Sequence, residues 1–179
     1  SSDLFVRNLA PFWITSYFTR PNYLTIDGKP VITIADADRL AGQLGGIAAA
    51  AAAIGALRAE VVAAGLPGII LLGCNNASSH ASNATAAAIG FDAIMAYSTP
   101  VGTGLLTTAD PPGAVVAAAE EQSWSDWAAY SALPTTLTVS MGYDATIWAE
   151  GTPKFLVSPA QLGELMRDAL GEAAAASAT

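Results

Sequence analysis

The segment PNYLTIDGKPVITIADAD, residues 21–38, carries the clearest fold signal in the chain. The Asp-Gly pair at 27–28 is a strong turn signal between two β-forming stretches. The VITI run at 31–34 is continuous enough in apolar character for a strand covered on both faces. The run is followed by two acids, Asp36 and Asp38. The sequence therefore predicts a turn, then a buried strand whose end presents carboxylates.

The composition excludes several function classes. The 179 residues suffice for one domain with a core. A net charge of −8, with the 7 basic residues scattered, argues against nucleic-acid binding, because phosphate contacts need clustered Lys and Arg. The single cysteine, Cys74, excludes an intrachain disulfide, and together with the single histidine, His80, it is too little for a zinc site. We expect neither a metal nor a cofactor.

The membrane and targeting signals are weak. Gly, Pro and charged residues interrupt every apolar run before it reaches the roughly 18 residues that span a bilayer. We therefore expect no membrane span. Residues 1–7 contain Asp3 and Arg7 and do not resemble a signal peptide. A secreted or cell-surface location stays open.

Strand-like and helix-like segments alternate along the chain. We predict strands over residues 31–35, 68–73, 91–97 and 136–141, and helices over 4–18, 38–62, 120–130 and 159–170, with a short helix that ends near Gly90. Pro11 enters or kinks the first helix, and Ser158 caps the last. This order predicts a parallel sheet covered by helices, either a (β/α)₈ TIM-barrel-like sheet or an open doubly wound one.

The loops after the strands are long and the returns from helix to strand are short, which puts the working face at the carboxyl ends of the strands. Polar or aromatic residues close the strands at Asp36, at Asn75, at Tyr97 and at Tyr143 with Asp144. For Asp38 we favour an N-cap role in the next helix, and for Asp36 a cap and a site residue are equally open.

Three segments resemble the WbsX-like proteins, which are relatives of glycoside hydrolase family 99, the endo-α-mannosidase group. FWITSYF at 12–18 with PNYLTIDGKPV at 21–31 is similar to their conserved aromatic and "dGkPv" segment. GFDA at 90–93 is similar to one of their strands, and SMGYDATIW at 140–148 resembles their "GWDnTpr" segment, with Tyr143 in place of Trp. The resemblance implies a (β/α)₈ barrel with glycosidase activity on a polysaccharide or glycan.

The chain departs from that family in two respects. A full barrel takes about 250 residues, whereas four strands are predicted in these 179. The family's glutamate-rich strand does not follow the helix at 159–170. We therefore expect a single, partial or reduced barrel domain over residues 1–179, with 172–179 frayed. Such a sheet exposes apolar edges, so we expect pairing with a second copy or with the rest of a longer chain.

Glycoside hydrolysis requires two carboxyl groups that flank the scissile bond. Asp36 and Asp144 are our candidate catalytic pair. The expected substrate-binding residues are the strand-end and loop groups and the aromatic rings that can stack on a sugar: Asn75, Tyr97, Tyr143, Trp148, Glu150 and Trp13. Other prominent side chains receive structural interpretations. Glu120 and Glu121 are read as charges at a helix start, Trp124 and Trp127 as packing onto the sheet, and Tyr17 as core.

Two other functions stay open. One is a non-catalytic carbohydrate-binding or scaffold domain on the same architecture. The other is an open, flavodoxin-like α/β domain that binds a small ligand. A reversal of strand order distinguishes the flavodoxin-like sheet from a barrel-type sheet, because doubly wound sheets bind their ligand where the order reverses.

Overall fold

The protein is a mixed α/β chain in a computed structural model that describes residues 5–75, 80–97, 111–144 and 154–176. Five strands form one mostly parallel sheet in the order β1-β2-β3-β4-β5, and two more form a separate antiparallel pair. The strands are β1 Thr25–Ile26, β2 Lys29–Ala35, β3 Ile70–Asn75, β4 Ala93–Ala96, β5 Thr135–Thr136, β6 Gly142–Asp144 and β7 Lys154–Leu156.

The described residues contain six helical segments, one before β1, four between strands and one after β7. The first, α1, is π-helical over Phe5–Leu9, α-helical over Ala10–Trp13 and π-helical again over Ile14–Phe18. Pro11 lies in its middle, where a missing N–H and a bulky ring oppose regular α-helical hydrogen bonding. The others are α2 Ala37–Leu44, α3 Ile47–Ala63, α4 His80–Ile89, α5 Gly113–Tyr130 and α6 Pro159–Ala176.

Residues 25–30 form a β-hairpin with a two-residue turn. β1 and β2 pair antiparallel, with Thr25 opposite Pro30 and Ile26 opposite Lys29. Asp27 and Gly28 both have positive φ, 51° and 74°, as a type I′ turn requires. The predicted turn is confirmed.

β2 continues into a parallel pairing with β3, in register from Val31 opposite Ile70 to Ala35 opposite Cys74. The pairing continues one residue further, because the Asp36 N–H donates to the Cys74 carbonyl at 3.0 Å. The carboxyl ends of these two strands therefore lie together, as expected for a parallel β-loop-α unit.

The single helix predicted over residues 38–62 is wrong. Gly45 and Gly46, with φ of 100° and 108°, end α2 and precede α3. Left-handed backbone is easily reached by glycine and ends a helix. Among the described residues no single helix is long and apolar enough to cross a bilayer; α2 and α3 reach that criterion only as a pair, which is bent by 97°.

The chain divides into two compact units. The first contains Ser1–Asn75, Ala81–Ile94 and Ala132–Pro134, and the second contains Asn76–His80, Met95–Ser131 and Thr135–Thr179. The division falls within β4. Each unit has buried apolar side chains of its own: Ile54, Leu57, Leu71 and Ile94 in the first, and Val116, Trp124, Trp127 and Leu165 in the second.

An arginine–aspartate network ties three elements of the first unit together. Arg58 on α3 donates to the carbonyls of Ile69 and Gly90 at 2.9 and 2.7 Å. It also donates to Asp92 Oδ2 at 2.8 Å, and the same oxygen accepts the backbone N–H of Leu71 at 2.8 Å. Asp92, the aspartate of the GFDA segment, therefore bonds to both β3 and α3.

In the second unit, the strand predicted over residues 136–141 is confined to β5, Thr135–Thr136. The following backbone bonds to side chains of α5. Trp124 Nε1 donates to the Thr138 carbonyl at 2.9 Å, and the Ser140 N–H donates to Glu120 Oε1. These side-chain acceptors and donors occupy backbone groups that a strand ladder would use.

The two long helices of the second unit extend beyond their predicted bounds. α5 begins at Gly113, so the predicted start at Glu120 is wrong. The predicted start of α6 is confirmed: Ser158 Oγ accepts the Gln161 N–H at 3.3 Å and Gln161 Oε1 accepts the Ser158 N–H at 2.8 Å, a reciprocal capping box. α6 runs on to Ala176, so residues 172–176 are helical and not frayed, because alanine has the highest helix propensity.

Candidate functional site

Asp36 closes β2 and is the N-cap of α2. Its Oδ1 accepts the Arg39 N–H at 2.9 Å. The cap predicted at Asp38 is therefore wrong, and Asp38 lies in the first helical turn. Helix α2 begins at Ala37, which is buried, and so starts one residue earlier than the pattern indicated.

The Asp36 backbone has φ 58° and ψ 82°, a conformation that non-glycine residues seldom adopt. Aspartate tolerates this region better than most residues because its short side chain bonds locally. The side chain is exposed, and Oδ2 makes no hydrogen bond to the described parts of the chain. Such backbone strain is often found at functional sites, and here it holds a solvent-facing carboxylate at the carboxyl edge of β2.

Asn75 is the last residue of β3. Because β2 and β3 are parallel and Ala35 lies opposite Cys74, the backbones of Asp36 and Asn75 follow at the same edge. The structure thus brings these two predicted residues to neighbouring strand ends.

Tyr97 follows β4 directly, and its ring is 70% exposed. An exposed ring at a strand end can stack on the apolar face of a sugar. The position agrees with the prediction that an aromatic residue closes this strand.

Tyr143 and Asp144 form part of β6, not a loop after the fourth strand of the main sheet. β6 pairs antiparallel with β7, which places Tyr143 opposite Phe155 and Asp144 opposite Lys154. The half-buried Tyr143 ring packs on Val116 of α5. Their predicted equivalence to the other strand ends is therefore wrong, because they belong to a separate two-stranded sheet.

Trp13 is half-buried in α1 and its ring lies 6.4 Å from that of Phe18. Tyr17, predicted in the core, is 47% exposed and makes an edge-on contact with Phe12 at 5.5 Å between ring centroids. Trp148 and Glu150, two further predicted site residues, lie outside the described residues.

Sequence reasoning missed one buried acid. Glu120 is fully buried in the middle of α5, where its carboxylate accepts the Ser140 N–H. Its neighbours Trp124 and Trp127, four and seven residues on, are also buried, as the sequence predicted. Residues 116, 120, 124 and 127 share one helix face by their spacing. That spacing is the signal that could have placed Glu120 inside.

Burial raises the pKa of three of the described side chains, Cys74, Tyr23 and Tyr130. Burial raises the pKa of the Cys74 thiol, which disfavours the nucleophilic thiolate and agrees with a structural cysteine. Burial also raises the pKa of Tyr23, whose hydroxyl donates to the Val31 carbonyl at 2.9 Å. Burial and then the charge of Asp126 raise the pKa of Tyr130. The described part of the chain contains no group of three or more His, Cys, Asp or Glu residues able to hold a metal.

Comparison of the chain with protein-family models, with curated proteins and with solved structures found no match.

Proposed function

We propose that this chain is a carbohydrate-active domain wound in the manner of a β/α barrel, which binds a polysaccharide or glycan at the carboxyl ends of its strands and hydrolyses it there. The strand order supports the winding. β2, β3, β4 and β5 follow one another in the sheet in chain order, as successive β-loop-α units of a barrel do. An open flavodoxin-like sheet needs a reversal of that order, and the described strands have none.

The observation that carries the proposal is the geometry of Asp36. Its carboxylate stands at the edge where parallel strands present ligand-binding groups. One oxygen is held by the helix cap, which fixes the orientation of the carboxylate, and the other faces solvent. A carboxylate fixed in this way can accept a sugar hydroxyl or act as one of the two acids of a glycosidase.

The test compares variants that keep the fold and remove the charge. Asp36→Asn keeps a side-chain oxygen for the cap and a residue that tolerates positive φ. Asp27→Asn is the matched control, because Asp27 is also exposed and also has positive φ, but lies in the hairpin turn. Binding of α-mannan oligosaccharides is measured by titration calorimetry, and hydrolysis by release of reducing ends.

We expect Asp36→Asn to weaken binding by about tenfold, from loss of a charged hydrogen bond. We expect Asp36→Asn to reduce hydrolysis by at least about a hundredfold. Asp27→Asn should match the unsubstituted chain. Binding without hydrolysis favours the carbohydrate-binding alternative. If the unsubstituted chain binds neither α-mannan nor other polysaccharides, or if Asp36→Asn behaves like Asp27→Asn, the proposed function is wrong.

A further inference from the structure

A groove of about 680 Å³ runs along the second unit between α5, α6 and the segment that begins with β5. Its walls are mostly apolar and include Trp124, Leu137, Val139, Met166 and Leu170. Met166 is 53% and Leu170 is 70% exposed. A volume of this size lies within the range that holds small-molecule ligands, roughly 300–1,000 Å³.

A small cavity of about 10 Å³ shares part of its wall with this groove. Trp124, Leu137 and the two threonines of β5 line both spaces, whereas Trp127 lines the cavity and not the groove. Trp127 is 4% exposed, and its Nε1 has no hydrogen-bond partner among the residues that the structure describes. A buried donor without an acceptor is unfavourable, so a ligand oxygen that reaches Trp127 Nε1 gains a hydrogen bond that the chain itself does not supply.

The neighbouring indole, that of Trp124, does have an acceptor. Its Nε1 donates to the Thr138 carbonyl, which fixes the ring that lines both the groove and the cavity. Trp127, one helical turn away, offers the same chemical group without such a partner.

We propose that the groove and the adjoining cavity together form a binding site for a neutral molecule with an apolar body and a carbonyl or hydroxyl oxygen, and that this oxygen enters the cavity and accepts the Trp127 Nε1–H. The apolar body lies against Trp124, Leu137 and the exposed side chains of α6. The site is independent of the carbohydrate edge at Asp36.

The charge of the lining disfavours an anionic ligand. Glu172 is the one charged residue among those that line the groove in the described chain, and it is acidic. The whole chain has a net charge of −8. An anionic headgroup would meet repulsion without a paired cation, whereas a carbonyl oxygen needs only the indole donor.

The experiment uses two probes of the same shape, butyrophenone and butylbenzene, which differ by a carbonyl in place of a methylene. Their dissociation constants are measured by displacement of the neutral dye Nile red and by ligand-observed NMR. Trp127→Phe removes the donor and keeps an aromatic ring. Ala173→Trp fills the groove from an exposed position on α6, and Ala174→Trp is its control on the same helix, since Ala174 is exposed and does not line the groove.

We expect both probes to bind the unsubstituted chain. We expect the ratio of the butyrophenone to the butylbenzene dissociation constant to rise by about tenfold in Trp127→Phe, the loss of one hydrogen bond. Ala173→Trp should abolish binding of both probes, and Ala174→Trp should leave it unchanged.

An unchanged ratio in a folded Trp127→Phe variant overturns the proposal, because a bound water or no group at all would then occupy the cavity. Equal effects of Ala173→Trp and Ala174→Trp overturn it as well. If Trp127→Phe does not fold, the decision rests on indole Nε1–H chemical shifts in the unsubstituted chain. Butyrophenone must then shift the Trp127 resonance more than butylbenzene does, and equal shifts overturn the proposal.

Discussion

Replacement of Asp92 by alanine should destabilise the first unit through one specific loss. Asp92 Oδ2 is the acceptor for the Leu71 backbone N–H, and Leu71 is fully buried in β3. The same oxygen pairs with Arg58, whose guanidinium also holds the carbonyls of Ile69 and Gly90. Alanine removes this acceptor and leaves the Leu71 amide without its protein partner.

The two interactions of Asp92 contribute unequally. A buried N–H without an acceptor costs about 1–3 kcal/mol. The ion pair with Arg58 contributes about 0–1 kcal/mol, since the two side chains are 32% and 42% exposed and solvent screens them. We therefore expect Asp92→Ala to lower the free energy of unfolding by about 2–3 kcal/mol, most of it from the orphaned amide.

Asp92→Asn separates the two terms. Asparagine keeps an oxygen for the Leu71 N–H and loses the charge, so its free energy of unfolding should fall by about 1 kcal/mol or less. Urea denaturation measures both variants, and amide hydrogen exchange at Leu71 should accelerate in the alanine variant. If Asp92→Ala lies within about 0.5 kcal/mol of the unsubstituted chain, or if the two variants are equally destabilised, the assignment of the Leu71 hydrogen bond as the main contribution is wrong.

Two further predictions concern other buried groups. Glu120→Ala should lower the free energy of unfolding by about 2–4 kcal/mol in urea denaturation, because it removes the acceptor of the Ser140 N–H and leaves a cavity. Glu121→Ala, at an exposed position on the same helix, is the control and should change that free energy by less than about 0.5 kcal/mol. Equal losses in the two variants would contradict the role of Glu120 as a buried acceptor. Burial raises the pKa of Cys74 above its ordinary value of 9.0, so the unfolded chain loses this proton at a lower pH than the folded chain does. The contribution of the buried thiol to stability is therefore fully present below about pH 9 and falls as the pH rises above that value. Cys74→Ala should flatten the decline in the urea midpoint as the pH rises from about 9 to 10. An identical decline in both proteins would refute the attribution to this thiol, since Tyr23 and Tyr130 ionise later, from an ordinary value of 10.0.

The candidate site shows where pattern reasoning stops. The position of Asp36 at a strand end followed from the VITI run. The sequence favoured Asp38 as the cap and left Asp36 open between a cap and a site residue, because the choice depends on which residue is the first of the helix. Tyr143 and Asp144 follow an apolar run, and only the pairing of β6 with β7 showed that they belong to another sheet. The burial of Glu120 was missed because the start of α5 was placed seven residues too late.

Local chemistry in the sequence determined much of the secondary structure: the Asp27-Gly28 turn, the apolar runs of β2 and β3, the Ser158 cap and the helix face that carries Trp124 and Trp127. Each depends on neighbours within a few residues, so a linear pattern contains it. Tertiary structure decided the shortness of β5 and the partners of Asp92 and Glu120. Those outcomes depend on which distant backbone groups meet a given side chain. A buried N–H must find an acceptor wherever the fold supplies one, and no local pattern states which residue that is.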